Sequence, residues 1–246
     1  MKTHLLLSAF LLMSALPAAA QDSPTNPTAV EIVTRMTAHD LARQSSIEGY
    51  AGMRRYVLAN QKYHKRAEML VQVQGDKDGT KHLEVVSEDG WKAAHKHVLH
   101  KMLESEMEVS RPEKRASARL IPENYDFALV GTELVDGRTA FVLEVRPKRN
   151  EHYLFEGRIW VDAGDYALAR AEGKPAKKPS FWTKSIHFVQ IYQKCGPVWF
   201  PLSTQSVTEA RLVGVTDVSI EYFDYAPRMP KRTDNSVVSA KAMPAP

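Results

Sequence analysis

Three histidines, His95, His97 and His100, are the densest group of chemically able side chains in this 246-residue sequence. A helical metal pair needs a step of three or four residues, which only His97 and His100 offer, so the set reads as solvent-facing or interfacial imidazoles. Asp76-Lys77-Asp78-Gly79 could open a calcium loop, but the later ligands and the closing glutamate are missing, and hairpin-turn chemistry accounts for it. Glu144, Glu156, Asp162 and Glu221 fall in strand patterns opposite basic residues and suit cross-strand pairing on a wet face. The single cysteine, Cys195, forbids an internal disulfide and reads as a buried or half-buried residue at a strand end. No G-x-S-x-G elbow, H-E-x-x-H helix, Walker loop or G-x-G-x-x-G turn occurs. The expectation is a binding protein, not an enzyme, with no cofactor and no metal.

The elements that would position a binding surface are mostly strands. Lys2, the apolar run Leu5 to Leu16 and the small residues Ala18, Ala19 and Ala20 form the three-part pattern of a cleaved signal peptide over residues 1–20. The apolar run is too short for a helix that must span a bilayer with about 20 residues. Gln21 follows the cleavage site and the single cysteine lies far from it, so the product is expected in the periplasm without a lipid anchor. Residues 21–28 read as a polar linker. Thr28 and Glu31 then have capping-box spacing ahead of an amphipathic helix ending near Gln44. MRRYVLANQK, RAEMLVQVQG and KHLEVVSED are three successive strands, followed by a helix from Trp91 to Val109 that needs a sheet to cover.

After a polar segment, Arg111 to Glu123, that Pro112 and Pro122 should break, strands resume. TELVDGRTAFVLEVRP is a hairpin about a type I′ turn at Asp136-Gly137, and EHYLFEGRIWVD and SIHFVQIYQK flank the basic run GKPAKKPS. Short turns between such strands predict an antiparallel meander ending in VTDVSIEYFDY, with a disordered tail over 227–246. The balance of 33 Lys and Arg against 29 Asp and Glu is spread along the chain, so nucleic-acid binding is not expected. The run Lys174 to Lys178, with Pro175 and Pro179, reads as a solvated loop or a docking site for an anionic surface.

Apolar side chains concentrate on candidate inner positions of these strands: Phe141, Leu143, Tyr153, Phe155, Ile159, Ile186, Phe188, Val218, Ile220 and Tyr222. They either fill a barrel or line a hollow within it. The order of elements, with FEGRIWVDAGDYALARAEG inside the strand run and VSIEYFDY at its close, resembles the LolA-like superfamily of periplasmic outer-membrane lipoprotein-sorting proteins over residues 29–226.

That resemblance implies one LolA-like domain of the α+β class, mainly antiparallel β, built as an incomplete, half-open β-barrel covered by helices. It implies a soluble, monomeric carrier that holds acyl chains of a lipid or lipoprotein in an apolar hollow. Candidates for its lining are Phe141, Leu143, Phe155, Ile159, Ile186, Phe188, Ile220 and Tyr222 on the sheet, with Trp91, Val98 and Met102 on the covering helix. The family's gating arginine is not carried over to any position, because no local motif fixes which of Arg43, Arg54 or Arg55 would match it. The alternatives are an envelope regulatory or scaffolding module that binds another protein, and a hydrolase with an unrecognised site.

Overall fold

The computed structural model describes residues 27–178 and 183–230. The expected signal peptide, most of the linker, the tail beyond residue 230 and Trp182 lie outside these. Helix α1 (Ala29–Ser45) starts where the sequence places it. Thr28 Oγ1 accepts from the Glu31 amide at 3.2 Å and Glu31 Oε2 accepts from the Thr28 amide at 2.8 Å, which completes the capping box.

Three strands follow, β1 (Gly49–Asn60), β2 (Lys65–Asp76) and β3 (Lys81–Gly90). The turn before β3 closes through the Gly79 amide on the Asp76 carbonyl and the Thr80 amide on the Asp78 carboxylate. The expected helix from Trp91 is present in pieces: α2 (Lys92–Ala94), a π turn over His95–Leu99, and α3 (His100–Ser110).

Residues 111–123 depart from expectation. A short helix, α4 (Pro112–Ala118), occupies the segment that its prolines were expected to break. Pro112 takes the first helical position, where its missing amide leaves no bond unmade and its fixed φ suits the turn.

Among the described residues seven strands follow: β4 (Tyr125–Val135), β5 (Arg138–Pro147), β6 (Phe155–Asp162), β7 (Leu168–Pro175), β8 (Thr183–Cys195), β9 (Val198–Ala210) and β10 (Gly214–Arg228). Asp136 (φ 49°) and Gly137 (φ 73°) both adopt the left-handed conformation that a type I′ turn demands. The strands form one antiparallel sheet in the order β3-β2-β1-β10-β9-β8-β7-β6-β5-β4. Strands β4 to β10 run as the expected meander, and β1 joins β10 along a ladder from Gly49↔Arg228 to Asn60↔Thr216. Strands β3 and β4 are left as edges, so the barrel does not close.

Helices cover the concave face at its two ends. Ile32, Val33 and Met36 of α1 pack on Leu143, Val145, Ile159, Val161 and Ala171 of β5 to β7. Ala94, Leu99 and Leu103 of the second helical segment pack on Tyr56, Leu58, Met69, Val71, Val218 and Ile220 of β1, β2 and β10. Burying each such aliphatic side chain stabilises the fold by roughly 1.5–3 kcal/mol, which anchors both covers. Between them, β8 and the middle of β9 carry mostly half-buried and exposed positions.

Candidate ligand hollow

The gap between the two helical covers is a consequence of what β9 presents there. Thr204, Ser206 and Thr208 share one face of the strand by the period of two, and they line recesses on the concave side. Val207, on the opposite face, is 48% exposed. Small hydroxyl side chains stand where a filled barrel would place Leu or Phe, so α3 and the sheet do not meet across β9.

The space left is a hollow of about 1240 Å³. This exceeds the roughly 300–1,000 Å³ usual for small-molecule pockets. Val98, Met102 and Val109 of the helical cover face Ile186 of β8 and Val218 of β10 across it, with Tyr153 and Pro175 at one side. A four-residue step along the helix explains the division of labour, because Val98 and Met102 turn to the hollow while Leu99 and Leu103 turn to the core.

A charged cluster holds the helix over the sheet. Arg54 of β1 is 2% exposed, and it donates from Nη1 to Glu106 Oε2 at 2.6 Å and from Nη2 to Glu106 Oε1 at 3.0 Å. Its remaining donors reach the Tyr225 hydroxyl at 2.7 Å and the Tyr56 hydroxyl at 3.1 Å, and its guanidinium lies over the Tyr222 ring. Lys81 Nζ donates to the same Glu106 Oε1 at 2.7 Å. Burial raises the Glu106 carboxyl toward its neutral form, but Lys81 and Arg54 override it and hold the carboxyl well below the usual carboxylate range. Burial likewise pushes the Tyr225 phenol up to about 12 against the opposing pull of Arg54, so it stays a neutral hydroxyl.

A second recess of about 650 Å³, flanked by Tyr50, Phe200 and Tyr225, shares Gly79, Lys81, Glu106 and Arg115 with the first. The ionic cluster therefore sits where the two meet.

Of the candidate lining residues, the structure brings Val98, Met102 and Ile186 together at the larger hollow. Tyr222 reaches the smaller recess, and its hydroxyl pairs with Thr204 Oγ1 at 3.1 Å. Ile220 is buried in the core beneath α3, with Trp91 packed at the edge of that cluster. Leu143 and Ile159 are fully buried under α1, where Phe141, Phe155 and Phe188 pack around them, and the rings of Phe155 and Phe188 meet edge to face at 5.2 Å. Among the three arginines, Arg54 alone lies beneath α3. Arg43 binds the Asp165 and Tyr166 carbonyl oxygens, and Arg55 pairs with Glu68 on the surface.

The polar residues sort differently from one another. Glu156 pairs across strands with Lys174 as expected. Asp162, expected on a wet face, is 1% exposed and accepts from Arg138 Nε and Nη2 and from the amides of Gly164 and Asp165. The turn after β6 folds back over it and creates that enclosure. His95 is buried with Nε2 bonded to the Asp89 carbonyl, His100 contacts Glu88, and His97 lines the hollow. Among the described residues no group of three metal-ligating side chains gathers. Cys195 is half-buried at the end of β8.

The small inner residues of β9 were not singled out from the sequence. The signal was present in the alternation of Thr204, Ser206 and Thr208 with Gln205, Val207 and Glu209, which places the smaller residues on one face.

A model of a family of unknown function, DUF5686, matches residues 122–225, the span from just before β4 into β10. No curated protein matches the chain. Solved structures similar to it include a LolA-superfamily protein from Nitrosomonas europaea, with 11% identity, 83% of this chain and 96% of that chain covered, and a TM-score of 0.43. A DUF1329-family protein from Desulfovibrio piger is 14% identical, with 87% and 96% covered and a TM-score of 0.42. A domain from Vibrio parahaemolyticus, named for outer membrane lipoprotein sorting, is 12% identical, with 86% and 94% covered and a TM-score of 0.42.

Proposed function

We propose that this protein is a soluble carrier of the periplasm that binds the acyl chains of a lipid or lipoprotein, making and breaking no bond. The observation that carries this reading is the hollow of about 1240 Å³ under α3, whose walls are mainly apolar. Burial of aliphatic surface at about 25 cal/mol per Å² favours a hydrocarbon chain in such a space over water. Among the described residues no helix is long and apolar enough to cross a membrane, which accords with a chain released by the expected signal peptide. Native mass spectrometry on protein purified gently from periplasm tests the reading. Bound lipid is expected, and repeated absence of lipid together with no uptake of a fluorescent fatty acid would overturn it.

A second reading, an envelope module that captures another protein, has its own observation. Edge strand β4 leaves Val130 54% exposed and Leu134 74% exposed beside unpaired backbone groups, a surface suited to strand addition. Crosslinking in whole cells would support it by giving one discrete protein adduct that is lost on Leu134→Lys.

A further inference from the structure

We infer that the hollow selects amphiphiles with an anionic head, the chain lying against Val98, Met102, Ile186 and Val218 and the head meeting the lysines that follow β7. This rests on the acyl-chain reading and narrows it to a ligand class.

The charges on the hollow are one-sided. Among the described residues Lys81, Lys101, Arg115, Lys177 and Lys178 line it with a single carboxylate, Glu106. Glu106 is already engaged by Arg54 and Lys81, so it cannot neutralise the others. Other exposed cations on the sheet are paired, as Arg55 is with Glu68, Lys174 with Glu156 and Lys184 with Glu209. Among the described residues Lys101, Arg115, Lys177 and Lys178 make no ion pair, and all four gather at this one concavity.

Arg115 adds a more specific demand. Its Nη1 is buried without any hydrogen-bond partner. The atom packs against Gly79, where a Cβ would overlap it, and Arg115 borders both recesses. An anionic oxygen brought into the hollow would meet the charge of this guanidinium, which no ion pair among the described residues neutralises. Asp78 stands close enough to feel the Arg115 charge, but its own oxygens accept from the Thr80 amide and hydroxyl.

The physical consequence is a pairing of two unlike surfaces. Apolar walls take a hydrocarbon chain whatever its head. The unpaired cations then discriminate, because a carboxylate or phosphate gains from them, a neutral head gains nothing, and an ammonium head is repelled.

The test is a fluorescence titration with three probes that share one polyene chain: cis-parinaric acid, its methyl ester and the corresponding amine, at low ionic strength. The acid is expected to bind about tenfold more tightly than the ester, a ratio equivalent to about 1.4 kcal/mol, with the amine weakest. In Lys177→Gln/Lys178→Gln and in Arg115→Gln the ratio of acid to ester should fall toward one while ester affinity holds, and circular dichroism checks that each variant folds. Raising the salt should shrink the ratio in the wild-type protein. Equal affinity for acid and ester in the wild-type protein would overturn the head-group preference and leave acyl binding standing. A preference that survives in both variants would overturn the assigned cations. If none of the three probes binds, the acyl-chain reading itself falls.

Discussion

Glu106→Ala is the perturbation that bears most heavily on how α3 is held over the sheet. The substitution leaves the Arg54 guanidinium, 2% exposed, without its counterion in a site closed by Tyr56, Tyr222 and Tyr225. Removing one member of a buried pair typically costs about 3–5 kcal/mol. The lower end applies, because the Glu106 side chain is 29% exposed and two tyrosine hydroxyls still accept from Arg54. A loss of about 3 kcal/mol corresponds to a fall in Tm of about 6–12 °C for a domain of this size. Urea denaturation of the wild-type protein, Glu106→Ala, Arg54→Met and the double variant completes a cycle. The expected coupling energy between the two positions is about 1.5–3 kcal/mol, since loss of both charges removes the uncompensated ion that each single change creates. A Glu106→Ala cost below about 1 kcal/mol, or losses that add to within about 0.5 kcal/mol, would refute the claim that this pair fastens the helix.

Other outcomes follow from the same geometry. The folded state depresses the Glu106 carboxyl below its ordinary value of 4.5, so its contribution is present above that pH and is lost as the pH falls through it toward the folded value. Urea midpoints of the wild-type protein should therefore drop more steeply than those of Glu106→Gln between about pH 5 and about pH 3, and parallel profiles would show that Glu106 is not the group responsible. Gly157→Ala should destabilise by about 2 kcal/mol in thermal denaturation, because its Cβ would overlap the Glu172 carbonyl oxygen and crowd Gly173 on the neighbouring strand. Thr28→Ala should cost about 1 kcal/mol by removing the acceptor that caps α1, as read from chemical denaturation. Ser206→Phe should project a ring into the hollow and weaken uptake of a fluorescent fatty acid at least about tenfold, with no loss of Tm.

The sequence shows the local structure of this fold wherever the signal is itself local. Thr28 and Glu31 mark the start of α1, Asp136-Gly137 dictates one hairpin and Asp76 to Gly79 another, and short connections between strands leave only an antiparallel meander. Pro112 shows where the reading fails, since a proline at the first turn of a helix and a proline that ends one are the same letter.

The site was less legible because it is defined by what is missing. Bulky strand residues such as Leu143 and Ile159 draw the eye as cavity walls, yet they are what α1 buries against. The hollow arises at Ser206 and Thr208, where the side chains are too small to fill it, and no motif marks an unfilled volume. Which inner residues meet a helix depends on how α1 and α3 divide the concave face between them. That division is set by packing over long sequence separations, as in the contact of Leu103 with β1 and β10. The Arg54 and Glu106 pair is likewise separated by 52 residues, and only the fold brings the two together.

The most direct measurement is photocrosslinking with a fatty acid that carries a diazirine near its methyl end, followed by peptide mass spectrometry. The account predicts adducts concentrated on the wall of the hollow, at Val98, Met102 and Val109 of the helical cover and at Ile186 and Val218 of the sheet. They should diminish when unlabelled fatty acid competes. Adducts scattered over exposed residues such as Leu134 and Leu212 and indifferent to competition, or no adducts, would contradict it.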